Sequence, residues 1–451
     1  MPPPAPLAFR LAAILGAAAL LLWPAVLNGY PILFIDASSY LMHTITGEAP
    51  WDKTAAYGPF LALFHQGVTL WFSVIGQALI LSIMLWLVQR VALGQASPRG
   101  HLALAAGLAA LTSAPWFVAT IMPDYFTPLV VLSLFLLGFG DDRLTRAEMC
   151  FAGAIGALGI AVHLSHLPTA CALVVLVLLL RRRLWPALRA ALPIAAAILF
   201  LLGANWHAFG RATLSAHGSV FLLARLQADG PAVWTIRDRC PESGWHLCGF
   251  IDRMPMDSDL FLWNPESPPN RDAAGNHRLT GSELLAPEAR EIVAATLRAY
   301  PLQVLWISIG NWWEQQFKIR IGDTFDNIDL VDFADRFLSR GFPPRESAAF
   351  AAGAQMRGEL PRLAAPFIVI HDIVLVLAVP LALFGWWRLA RRGDHPRLGL
   401  LLCVLVGLTA NAFVAGALSK PHHRYEARII WLLPMGAALA FWPRRPVTAP
   451  G

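Results

Sequence analysis

Five groups of polar residues border the hydrophobic runs of this chain. In FIDASSYL (34–41), Asp36 follows the first run and precedes the second. A carboxylate at that border can take a proton as a general base. Asp36, Tyr40 and His43 lie at i, i+4 and i+7, one face of a helix. The plain alternative is that Asp36 caps a short interfacial helix and Tyr40 anchors it at headgroup depth. Asp124, in MPDYF, follows a proline that interrupts an apolar stretch, and its alternative is also a helix cap. His163 and His166 flank Ser165 at i, i+3 and suit a metal or a phosphate, or polar packing at an interface. Glu314 sits with Lys318 and Arg320, with a solvated i, i+4 pair as the alternative. His422, His423, Arg424, Tyr425 and Arg428 gather cations and aromatics before the last run. An arginine fork bonds two phosphate oxygens at once; the alternative is snorkelling at a helix start.

Composition decides the class of elements that hold these groups. The 451 residues are 57% hydrophobic and only 14% charged, against ~25% charged in soluble domains. The chain reads as an all-α polytopic membrane protein. The net charge of +6 lies in arginines next to hydrophobic runs, which positive-inside bias produces, so it does not point to nucleic acid. Residues 7–27 read as a first span and signal anchor, not as a cleaved leader. No GxxxxGKS or GxGxxG phosphate loop occurs, so no nucleotide site is expected.

A span needs roughly 20 apolar residues. Candidates are 7–27, 60–88, 102–121, 124–140, 150–167, 168–180, 188–208, 364–388, 398–418 and 427–443, about ten in all. HLSHLP, ending at Pro168, reads as the turn between the fifth and sixth. One set of loops collects Arg10, Arg90, Arg99, Arg143, Arg146, Arg181–Arg183, Arg189, Arg388, Arg391, Arg392, Arg397, Arg444 and Arg445. That side is expected to be cytoplasmic. The five polar groups then share the opposite side, and the spans read as clean of charge.

The chain divides into an N-terminal membrane module (1–208), a long outer segment (209–363) and a C-terminal membrane module (364–451). Within the segment, SELLAPEAREIVAATLRAYP reads as an amphipathic helix ended by Pro301. The Trp-rich stretch 302–317 reads as interfacial or re-entrant, because a span there would invert the later loops. Cys240 and Cys248 suit a small disulfide loop in an oxidising compartment. Free thiols are the alternative, and a zinc site with His246 lacks a fourth ligand at standard spacing.

The chain resembles the GT-C superfamily of integral-membrane glycosyltransferases. FIDASSYL stands where that family carries an essential acidic residue in the first outer loop. His422, Arg424 and Tyr425 with Pro434 resemble its basic-aromatic element before a late span, and MPDYF resembles its second acidic outer loop. The resemblance implies a GT-C-like fold and inverting transfer of a sugar from a polyprenyl-phosphate donor to a lipid, glycan or protein acceptor. It implies a bacterial inner membrane with the active site facing the periplasm, and a role in building the cell envelope. Asp36 would be the catalytic base. Tyr40, His43, Asp124, His163, His166, Glu314, His422, His423, Arg424, Tyr425 and Arg428 would bind substrate. Several relatives carry adjacent acidic residues in the first loop; here Ala37 follows Asp36, a departure from that pattern, so a divalent metal is left open and no other cofactor is assigned. The competing readings are an O-antigen-ligase- or polymerase-like transferase using a diphosphate-linked donor, and a lipid or polysaccharide flippase. A flippase calls for charges in mid-span and for repeat symmetry.

Overall fold

The computed structural model describes residues 6–278 and 280–443; Arg444 and Arg445 lie outside them. The described chain is mostly helical, with one pair of two-residue strands. Along the chain the helices used below are α1 (Leu7–Leu20), α2 (Ala37–Thr46), α3 (Tyr57–His65), α4 (Trp71–Leu93), α5 (Pro98–Leu111), α6 (Phe126–Phe139), α7 (Arg146–Val162), α8 (His166–Arg181) and α9 (Leu184–Phe209). They continue with α10 (Gly218–Ala228), α11 (Ser258–Trp263), α12 (Ala286–Ala299), α13 (Pro301–Gln316), α14 (Leu360–Arg392), α15 (His395–Leu418), α16 (Arg424–Ile430) and α17 (Leu432–Phe441). Among the described residues, α4, α9, α14 and α15 are long and apolar enough to cross a membrane. A fifth crossing arises if α12 and α13, bent by 100°, count as one broken span or a re-entrant hairpin. The apolar helices α1 and α8 are shorter.

Local chemistry sets the helix ends. Thr145 and Glu148 close a reciprocal capping box on α7, satisfying N–H groups that the first turn leaves free. Ser97 caps α5 ahead of Pro98. The apolar run 60–88 does not form one helix. Gln66 and Gly67 adopt left-handed backbone, which stops α3 and lets α4 begin at Trp71. HLSHLP is likewise not a turn to its end, since α8 begins at His166.

At one end of the helical body, arginines and acids interlock. Arg90 pairs with Glu148, and Asp141 receives both Arg181 and Arg189. Asp124 and Asp141 flank the two ends of α6, so Asp124 and this arginine-rich end lie apart.

The long segment 209–363 divides between two cores. Residues from Val220 to Val293 enclose an apolar cluster of their own, with Leu223, Ile236, Phe261 and Ile292 fully buried. Leu330, Phe333, Leu338, Phe342 and Phe350 instead join the large core of the helical body. Segment 302–317 is α13, which lies against α15. A Cβ on Gly416 would stand 2.6 Å from the Asn311 carbonyl, so glycine permits that approach. Trp306 and Trp313 remain exposed.

The expectation of clean spans needs correction. His371 is buried within α14, and Asp372 beside it pairs with Arg320 at 2.8 Å. Helix α14 has 33 residues, about 50 Å at 1.5 Å each, well beyond a ~30 Å hydrocarbon core. Its first turns therefore have length to spare for charge outside the apolar zone.

Candidate active site

Asp36 and Asp124 are brought together by the one strand pair. Ile32 pairs with Thr120 and Leu33 with Ile121, in parallel. Each acidic residue lies three positions beyond its strand, so matched register delivers both to one region. The Gln355 side chain locks this junction, accepting from Leu33 N–H at 3.1 Å and donating to the Leu33 carbonyl at 2.7 Å. Gln77 donates to the carbonyl of Thr120 on the other strand and to that of Val118 just before it.

Asp36 occupies the position before α2, yet its side chain makes no capping hydrogen bond. It pairs instead with Lys53 at 3.1 Å and lies 3.7 Å from Arg424. Lys53 also meets Asp52 at 3.3 Å. Burial disfavours the Lys53 ammonium, but Asp36 and Asp52 outweigh it and raise its pKa above the ordinary value. Arg424 stacks over the rings of Phe34 at 4.5 Å and Tyr425 at 5.0 Å. Its Nε and Nη1 are buried without a protein partner.

Behind this pair lies a drier one. Arg428 donates to Asp124 at 3.0 Å, with side chains only 1% and 4% exposed. Asn411 on α15 accepts a second bond from Arg428 at 2.9 Å and donates to Glu426 at 2.9 Å. Asp124 is thus not a helix cap but the counter-charge of a buried arginine. Tyr425 stands between the two arginines, since Arg428 also lies over its ring at 5.1 Å.

The remaining candidates divide. His163 is within electrostatic reach of Arg428, Lys53 and Arg424, and its ring lies 5.2 Å from that of His166. His166 is held on both nitrogens, by Thr127 at 2.7 Å and the Gly159 carbonyl at 2.6 Å. Tyr40 is buried edge-to-face with Tyr57. His43 packs by Gly58, its Nδ1 without a partner, and it makes no hydrogen bond to Asp36. Glu314 forms the exposed pair with Lys318 at 3.0 Å and lines a different cleft. His422 bonds Asp259 at 3.2 Å, while His423 accepts from the Arg320 N–H. Burial works against the Asp259 carboxylate, yet His422 and Lys420 bring its pKa down to about 2.

Lys53, Asp52, Asn411 and Glu426 were not singled out from the sequence. A signal existed for the first two, because PWDKT places adjacent opposite charges in the same outer loop as Asp36. Cys240 and Cys248 are joined as a disulfide, with Cα atoms 5.6 Å apart. Among the described residues, no three His, Cys, Asp or Glu side chains group closely enough to hold a metal ion.

Beside the charged cluster is an apolar groove of about 370 Å³ between α3, α7 and α9, lined by Ala56, Phe60, Leu63, Ala161 and Phe200 among others. The two adjoin: Thr54, next to Lys53, donates to the Val162 carbonyl at the end of α7. A carboxylate, paired cations and an adjoining apolar channel can together hold an amphiphile with an anionic head. No protein-family model matches the chain, and no curated protein or solved structure matches it either.

Proposed function

We propose that this chain is a membrane glycosyltransferase that moves a sugar from a polyprenyl-phosphate donor to a lipid, glycan or protein acceptor. In this reading it crosses a bacterial inner membrane about ten times in the GT-C manner and works at the periplasmic face. The observation that carries the reading is Asp36 between Lys53 and Arg424, at the edge of an apolar groove. A polyprenyl tail needs such a groove, and its phosphate needs cations above it.

The acceptor hydroxyl attacks the anomeric carbon as Asp36 takes its proton. The bond from that carbon to the phosphate oxygen breaks, and polyprenyl phosphate leaves with its new charge met by Arg424 and Lys53. The Nε and Nη1 of Arg424 make no protein hydrogen bond, so its fork is not committed elsewhere. Arg428 with Asp124 acts one layer back, as a rigid wall against which Tyr425 and Arg424 are set. The ten-span topology draws support from the interlocked arginine end opposite the site. It requires the shorter helices to cross in pieces, as Leu7–Leu20 followed by Trp23–Asn28 would.

The test is donor binding. Arg424→Ala should weaken binding of undecaprenyl phosphate to the purified protein far more than Arg424→Lys, which keeps charge but loses the planar fork. Native mass spectrometry reads the bound lipid. Equal occupancy in the wild type and Arg424→Ala removes Arg424 from the site.

A further inference from the structure

A second cleft, of about 390 Å³, lies between α10, the start of α11, α13 and the loop before α16. That volume is within the range of ligand clefts, ~300–1,000 Å³. Its walls carry charges in matched pairs. Glu314 pairs with Lys318 at 3.0 Å, and Asp257 with Lys420 at 2.7 Å. Arg225 is gripped by both oxygens of Asp229. Ser258, also in the wall, has a buried Oγ without a protein partner.

We infer that this cleft binds a neutral, hydroxyl-rich glycan and serves as the acceptor subsite of the transferase. Each pair offers a donor beside an acceptor, and a sugar hydroxyl is both at once. A neutral glycan satisfies both members without leaving either charge uncompensated. An anionic ligand would meet Glu314 and Asp257, and a cationic one Lys318 and Lys420.

Position gives the cleft its role. Helix α11 begins in the cleft at Ser258 and ends at Trp263, whose ring lies 5.7 Å from the Lys53 ammonium. Its six residues span about 9 Å, a few sugar units at most. Lys420, in the cleft wall, is on the loop that leads to Arg424, and His422 of that loop bonds Asp259 of α11. A glycan held in the cleft therefore has its end near the carboxylate that would take its proton.

The acceptor role rests on the transferase reading; glycan binding itself does not. The experiment uses the full chain in lipid nanodiscs and saturation-transfer NMR. The probes are maltotriose, cellotriose, mannotriose and N-acetylchitotriose, against anionic trigalacturonate and the cationic chitosan trimer. At least one neutral trisaccharide should bind at about millimolar strength, and the charged ones should not. Replacing both Glu314 and Lys318 with Ala removes an exposed pair that contributes little to folding, and should weaken binding about tenfold, the loss of one to two hydrogen bonds. The double variant should still bind undecaprenyl phosphate as the wild type does, because Glu314 and Lys318 line a different cleft from the Asp36 cluster, so failure of the donor chemistry and failure of this site are read separately. Preference for a charged probe, binding unaffected by the double substitution, or no neutral binding up to about 10 mM overturns the inference.

Discussion

Replacing Asp36 by Asn separates chemistry from structure, because the contacts of Asp36 make the two costs unequal. Its side chain is 23% exposed, Lys53 is 14% exposed, and the Arg424 contact is 3.7 Å. Exposed pairs contribute about 1 kcal/mol or less; this one is half-buried, but Asp52 stays beside Lys53 when Asp36 becomes neutral, so the loss stays below the about 3–5 kcal/mol of a fully buried pair. No capping bond is lost, since none is made, and Asn would cap equally well in any case. The Asn variant should therefore insert, fold and keep undecaprenyl phosphate bound. A general base accounts for ~10²–10⁴-fold in rate, or about 3–5 kcal/mol of barrier. The expected loss of transfer thus exceeds the expected loss of stability. The assay incubates purified protein with a membrane lipid extract and measures released polyprenyl phosphate by mass spectrometry, beside thermal melting of the same samples. Near-wild-type release would refute Asp36 as base. A variant that fails to accumulate in the membrane would refute the energetic reasoning, because it would make Asp36 a structural residue.

Alkaline-phosphatase fusions should be inactive after Arg182 and active after Gly275, and the reverse at either point refutes the proposed orientation. Cys240 and Cys248 should resist alkylation until reduced, read by intact mass, and their link should stabilise the loop by roughly 2–3 kcal/mol in the chain-entropy model. Asp124→Asn should destabilise the fold by about 3–5 kcal/mol, because it leaves Arg428 buried without a counter-charge. The paired change Asp124→Asn with Arg428→Met should recover part of that loss in thermal melting, and an equal or greater loss would show that the pair is not coupled.

The helices were legible where an apolar run had a clear end. The expected spans 188–208, 364–388 and 398–418 fall inside α9, α14 and α15, each longer by a few residues at its ends. The reading failed at 60–88, where average hydropathy hid HQG. The left-handed Gln66 and Gly67 are a break that a turn-based reading of the same residues would have placed. It also treated 209–363 as one body, because polarity alone does not show that Phe333 and Phe350 return to the core of the helical body while Phe261 and Ile292 build another.

At the site, residue types were legible and partnerships were not. Arg428 and Asp124 both stood out from the sequence, yet they lie 304 positions apart, and nothing local to either shows that they meet. The same holds for Asp36 and Arg424, which lie near opposite ends of the chain and meet at 3.7 Å. Lys53 is the instructive miss. A lysine in a short loop reads as a solvated charge, and only the folded chain shows it enclosed between two carboxylates with Trp263 beside it. Removing that ammonium leaves Asp36 with Arg424 as its remaining paired cation, so the charge balance of the site depends on a residue whose one sequence signal is the adjacent Asp52. The position of Lys53 between the Asp36 cluster and α11 also makes it the physical link between the site proposed for the donor and the cleft inferred for the acceptor.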